Sequence, residues 1–158
     1  MAKAERDTFF EITGLIIIRI ACISVCICFG LPMFKSESIP NYILSGFGTI
    51  LGVPEIAIFG NKIALTAFLF PIAILVCSAF LLFLEKHMYT IIFISGVIGI
   101  LLSIAYFIST LGNLNKKQGF FDFNFQEIQT GITWGCLVIL GLYAVIIIFS
   151  LLCMKVAE

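Results

Sequence analysis

The sequence predicts an all-α membrane protein. One domain over residues 1–158 is expected, a four-transmembrane-helix bundle with a small extracytoplasmic β-cap formed by its two outer loops. Three observations carry this. Of 158 residues, 61% are hydrophobic and 11% charged, where soluble domains carry about a quarter charged residues. Two apolar runs, 63–84 and 89–111, fold back around the connector Glu85-Lys86-His87, and each reaches the roughly 20 residues that cross a hydrocarbon core of about 30 Å. Last, Phe121, Phe123 and Phe125 alternate with Asp122 and Asn124, the period-two pattern of a strand with one apolar face.

The first crossing is expected at about 15–34, after a polar lead of Lys3, Glu5, Arg6, Asp7 and Glu11 in which Phe9 and Phe10 meet the headgroups. The lead is too acidic for a transit peptide and no small-residue cleavage pattern follows, so this crossing is expected to be retained. It contains Arg19. A cation inside a membrane helix is a functional-site hypothesis, since even lenient scales put its cost at about 2.5–3.5 kcal/mol at the helix centre. Either the long stem snorkels to the headgroups, or the guanidinium forms an intramembrane ion pair with Glu85 or Glu11. Beyond it Ala21, Cys22, Ser24, Cys26 and Cys28 thin the helix for a close neighbour, and Pro32 marks the exit.

In the outer loop at 35–62, Pro40, Gly46, Gly48, Gly52, Pro54 and Gly60 separate short apolar runs at 41–44 and 55–59. Such runs suit strands or hairpins better than a helix. Within the second crossing, 63–84, Pro71 removes a backbone donor and crowds the preceding turn, so a kink is expected. The third, 89–111, places Ser95, Gly99 and Ser103 four apart, a small face for helix packing. The outer loop at 112–131 opens on Asn113, Asn115, Lys116, Lys117 and Gln118, then enters the alternating phenylalanines. Each ring buries about 150–250 Å², so the three must cover something. Tyr42, Ile43, Leu44, Ile50, Leu51, Ile56 and Ile58 supply the apolar material, in a cap of at least three strands. The fourth crossing, 132–154, begins with Gly131 and Gly135 in G-x-x-x-G spacing beside Trp134, an interfacial anchor.

Nine basic and nine acidic residues are scattered through every loop, which argues against nucleic acid as a partner. All six cysteines, Cys22, Cys26, Cys28, Cys77, Cys136 and Cys153, fall in predicted crossings with no C-x-x-C. They read as small apolar packing residues rather than a disulfide framework or a zinc site. With His87 the single histidine and no carboxylate in the middle of a crossing, neither a catalytic constellation nor a cofactor or metal is expected. Lys3, Arg6 and Arg19 surround the start of the first crossing, which places both termini in the cytoplasm and the larger loops outside the cell membrane.

The order of helix, larger outer loop, tight helical hairpin, outer strand and helix resembles the claudin-like tetraspan architecture, in which the outer loops share a small sheet. The loop at 35–62 has neither the tryptophan motif nor the two cysteines of that family, so the resemblance implies architecture and no junctional function. Leu31-Pro32-Met33-Phe34, Phe70-Pro71-Ile72 and the stretch 123–135 are similar to segments of small four-helix bacterial membrane proteins. That likeness implies a bacterial membrane protein and supplies no catalytic residue.

The functional expectation is a non-enzymatic accessory, scaffold or sensor subunit that sits in the lipid bilayer and meets a protein partner through its outer loops. The alternative is a transporter or channel subunit that forms a pore as a homo-oligomer, since one small bundle has little internal volume. A membrane thiol oxidoreductase ranks last, because it needs a cysteine pair at the membrane surface.

Overall fold

The computed structural model describes residues 2–35, 45–51, 62–80, 87–114, 126 and 130–157. Among these the chain is all-α: α1 is Ala2–Cys28, α2 Gly46–Leu51, α3 Lys62–Phe80, α4 Met88–Leu114 and α5 Trp134–Ala157. Among the described residues three segments are long and apolar enough to cross a membrane: Glu5–Cys28, Met88–Gly112 and Trp134–Val156. A shorter apolar helix, Ile63–Ala79, lies within α3.

The first helix begins well before the apolar run at 15–34. Its lead is rich in good helix formers, Ala2, Ala4, Glu5, Arg6 and Glu11, has no glycine or proline before Gly14, and places Glu5 in the first turn, where the helix dipole favours an acid. Polarity there marks where lipid would end, whereas the backbone bonds continue. At the other end the chain tightens through Gly30 N–H to the Ile27 carbonyl (2.9 Å) and Leu31 N–H to the Cys28 carbonyl (3.0 Å), just before Pro32, which has no donor to offer. α3 stays helical through Pro71, which is buried. The proline leaves the Ala67 carbonyl without its usual donor.

The helices meet in a closed cycle: α1 packs on α5 and α3, and α4 packs on α5 and α3, with α2 lying on α3. Neighbours run antiparallel. Gly14 abuts the Cys153 sulfur while Gly135 abuts Pro32, and Gly96 meets Ile147 while Gly131 meets Leu111. The core contains Ile18, Val25, Phe29, Ile92, Tyr106, Ile139, Tyr143 and Ile146. On the outward face of α1, Ile12, Ile16, Ile20, Ile23 and Ile27 are all half exposed or more. Such a stripe is costly in water and at rest against acyl chains. The buried hydroxyls of Ser78, Ser103 and Ser150 donate to carbonyls one turn back in their own helices, at 2.7–2.8 Å, which satisfies them without water.

Candidate functional site

Two places in the fold concentrate polar groups: the end at which α1 leaves the helical layer, here termed the outer end, and the position of Arg19.

At the outer end, backbone pairing ties the exit of α1 to the entry of α5. Phe34 bridges Ile132 in antiparallel sense, with Lys35 N–H donating to the Gly131 carbonyl at 2.8 Å and Thr133 N–H to the Met33 carbonyl at 2.9 Å. The Thr133 hydroxyl donates to the Pro32 carbonyl, and the Cys136 thiol to the Met33 carbonyl at 3.1 Å. On its other side Pro32 bridges Ser45. The segment 31–35 therefore has the two sides of its backbone matched to different parts of the chain, although no named strand forms among the described residues.

Ser45 also starts α2. Its hydroxyl accepts from Gly48 N–H at 3.1 Å and its carbonyl from Thr49 N–H at 3.1 Å, the geometry of an N-cap. The runs at 41–44 and 55–59, expected as strands or hairpins, lie outside the described residues, whereas Ile50 and Leu51, expected to supply apolar material to a strand cap, belong to a short helix, Gly46–Leu51. The physical reason is tertiary as well as local. Phe47 N–H donates to the Phe29 carbonyl at 2.9 Å, and a Cβ at Gly46 would come within 2.6 Å of the Phe29 ring and 2.9 Å of its carbonyl, so only glycine lets the two backbones approach this closely.

Under α2 lies an aromatic cluster. Phe29 stacks on Tyr106 with ring centroids 5.8 Å apart and meets Phe68 edge-on at 5.3 Å. Phe47 packs against Phe68 at 5.3 Å, and Phe34 against Tyr106 at 5.7 Å. Within this cluster the Thr49 and Tyr106 hydroxyls are 2.6 Å apart. The Thr49 hydroxyl donates to the Gly46 carbonyl at 2.7 Å, which leaves it to accept from Tyr106, and the Met33 sulfur stands 3.9 Å from the Tyr106 oxygen. Thr49 and Tyr106 were not legible as partners, since they lie 57 residues apart and the glycines at 46 and 48 resemble loop punctuation. The available signal was Ser45, a good cap residue one position before an apolar hexapeptide.

Arg19 is half-buried in the seam between α1 and α3. Its Nη2 donates to the Ser78 carbonyl at 3.4 Å, and its Nε is buried without a hydrogen-bond partner. Glu11, the intrahelical candidate, lies eight residues away on the same helix, about 12 Å of rise, and forms no ion pair with Arg19 among the described residues. Glu85 lies outside the described residues, as do Phe121, Phe123, Phe125 and positions 119–125 of the strand expected at 119–126, whose last residue, Gln126, is helical.

The small residues divide. Gly99 accommodates the Tyr143 ring and is buried, Ser103 is buried with its hydroxyl on the Gly99 carbonyl at 2.8 Å, and Ser95 is half-buried. Gly131 lies 2.5 Å, measured from an added Cβ, from a flexible Leu111 methyl, whereas at Gly135 the neighbour is the Pro32 carbonyl at 2.6 Å. Thus 131 and 135 face different elements. Among the described residues no group of three His, Cys, Asp or Glu side chains is placed to hold a metal, and the described cysteines are all free thiols. No family model matches the sequence, and no curated protein or solved structure matches it.

Proposed function

We propose that this chain is a non-enzymatic subunit of the cell membrane. In this reading it is a four-helix bundle that crosses the bilayer four times with both termini in the cytoplasm, and it presents a small extracytoplasmic cap to a protein partner. The single observation that carries the reading is the way the outer end is fastened. The backbone of 31–35 is bonded to 131–133, and α2 is capped, docked and tied to α4 through Thr49 and Tyr106. Below this, large side chains such as Tyr106, Phe29 and Tyr143 fill the space between helices. A bundle whose described residues are packed between the helices and fastened at 31–35, 45–51 and 131–136 suits presentation of a surface better than passage of a solute. The aromatic face of Phe121, Phe123 and Phe125 would complete the cap.

Topology and surface are tested together in the full-length protein. Single cysteines at Ser45, Lys86 and Lys117 of an otherwise cysteine-free variant should label from outside, inside and outside. Labelling of Lys86 and Lys117 positions from one side would remove a crossing. Asp122→Ala and Asn124→Ala should spare folding, while Phe123→Ser should lower stability. Unchanged stability with loss of a co-purifying partner would mean that the rings themselves form the interface. Selective ion or solute flux through liposomes containing the purified protein would replace the scaffold reading by the pore.

A further inference from the structure

Arg19 lies deeper in the apolar layer than any other charged side chain among the described residues. Its level follows from the antiparallel packing. Gly14 abuts Cys153, two residues before Lys155, so Arg19, five residues beyond Gly14, stands about 10 Å outward of the level of that lysine. Helical side chains lean toward the helix N-terminus, which carries the guanidinium back toward the terminal side along the α1–α3 seam. There, among the described residues, it finds one carbonyl, Ser78, at 3.4 Å, the long limit for a hydrogen bond, and its buried Nε finds none. A guanidinium has five donors and no means of shedding its charge. Buried without a counter-ion it is strongly disfavoured.

The way into this seam is apolar. Ile16, Ile20 and Ile23 of α1 and Val76 of α3 are each half exposed or more, so an anion that reaches Arg19 from this side arrives on an acyl chain. We infer that Arg19 is a lipid-phosphate site. Its planar fork takes the phosphodiester of a phospholipid in the leaflet on the side of both termini, a bidentate match of charge and shape, and the acyl chains lie along the exposed isoleucines. The leaflet thins locally to bring the phosphate to the arginine, the accommodation that lets membrane helices carry such residues at all. The inference rests on the transmembrane reading of the helices but not on which side is cytoplasmic.

The test is native mass spectrometry of the delipidated full-length protein in detergent. It is titrated in turn with a phosphatidylglycerol, a phosphatidylcholine, the diacylglycerol of the same acyl chains, and inorganic phosphate. Both phospholipids should give one tight adduct; diacylglycerol and inorganic phosphate should not. Arg19→Gln should weaken that adduct at least about tenfold, the equivalent of about 1.4 kcal/mol, and Arg19→Lys, which keeps charge but loses the fork, should fall between. Glu85→Gln should leave it unchanged. Equal binding by wild type and Arg19→Gln overturns the proposal, as does equal binding of diacylglycerol. Tighter phospholipid binding in Glu85→Gln overturns it too, by showing that a carboxylate already holds the charge. Displacement by inorganic phosphate would make the site one for free anions. If Arg19→Gln does not fold, the wild type alone decides through its thermal midpoint, which phospholipid should raise and diacylglycerol should not. Failure of the membrane reading is registered separately, in the cysteine labelling pattern.

Discussion

One methyl group added at Gly135 should destabilise the protein, while the same methyl at Gly141, six residues along α5, should not. At Gly135 a Cβ would stand 2.6 Å from the Pro32 carbonyl oxygen and 3.3 Å from its carbon. A carbon and a carbonyl oxygen approach to about 3.3–3.6 Å, so the overlap is roughly 0.7 Å or more. The obstacle is backbone and cannot rotate away. It is also pinned, because Pro32 accepts from the Thr133 hydroxyl and the next residue accepts from Thr133 N–H and the Cys136 thiol. Relief requires the 31–35 segment to back off. Overpacking of this kind costs about 1–3 kcal/mol, a weakened hydrogen bond about 1 kcal/mol, and the gain from replacing glycine in a helix is at most about 1 kcal/mol. The net is a loss of about 1–3 kcal/mol, a fall of about 2–12 °C in Tm for a chain of this size. At Gly141 nothing lies within 4 Å of the added carbon, so only the helix-propensity gain remains. The assay is heating of the full-length protein in detergent with a thiol-reactive fluorogenic dye, which reads the exposure of buried Cys22, Cys28, Cys136 and Cys153. Gly135→Ala as stable as wild type, or an equal fall in Gly141→Ala, would refute the close approach of α5 to the 31–35 segment.

Removal of the Thr49 hydroxyl should cost more than removal of its partner. Thr49→Val strands the buried Tyr106 hydroxyl beside a weak sulfur acceptor, for about 1–3 kcal/mol, whereas Tyr106→Phe leaves Thr49 bonded to Gly46 and costs about 1 kcal/mol. The double variant should be less than additive, and additive effects in the dye assay would mean that the pair is not coupled. Thr110, fully buried with a hydroxyl that has no partner among the described residues, behaves oppositely. Thr110→Val should be neutral or raise Tm, since it removes an unsatisfied polar atom at constant shape, and a fall would reveal a partner for that hydroxyl. Loss of the cap in Ser45→Ala should cost about 1 kcal/mol and speed amide hydrogen exchange within α2 first; unchanged exchange there would mean that docking alone holds the helix.

The class was readable from composition and hydropathy. Apolar runs of spanning length, with few charges inside them, make helices whose backbone bonds close within each segment, so the all-α character and the long apolar helices at 89–111 and 132–154 were legible from hydropathy alone. Pro71, Gly99, Gly131, Gly135 and Arg19 stood out in the sequence by residue type, spacing or cost in lipid. What those residues touch was decided by the tertiary structure. The spacing of Gly131 and Gly135 suggested one helix face, but one glycine receives a leucine methyl and the other a backbone carbonyl. Arg19 had two carboxylate candidates in the sequence, of which Glu85 lies outside the described residues, and the fold sets its Nη2 against a carbonyl of α3 that no spacing pointed to. The helix at Gly46–Leu51 illustrates the reason most plainly. Six residues with two glycines have little local preference for a helix, and this one exists because Phe29 offers its carbonyl, Ser45 its hydroxyl and Tyr106 its phenol. Hydropathy is a property of each segment alone, whereas register, close approach and buried hydrogen bonds belong to pairs of segments far apart in the chain, and no single stretch of sequence carries them.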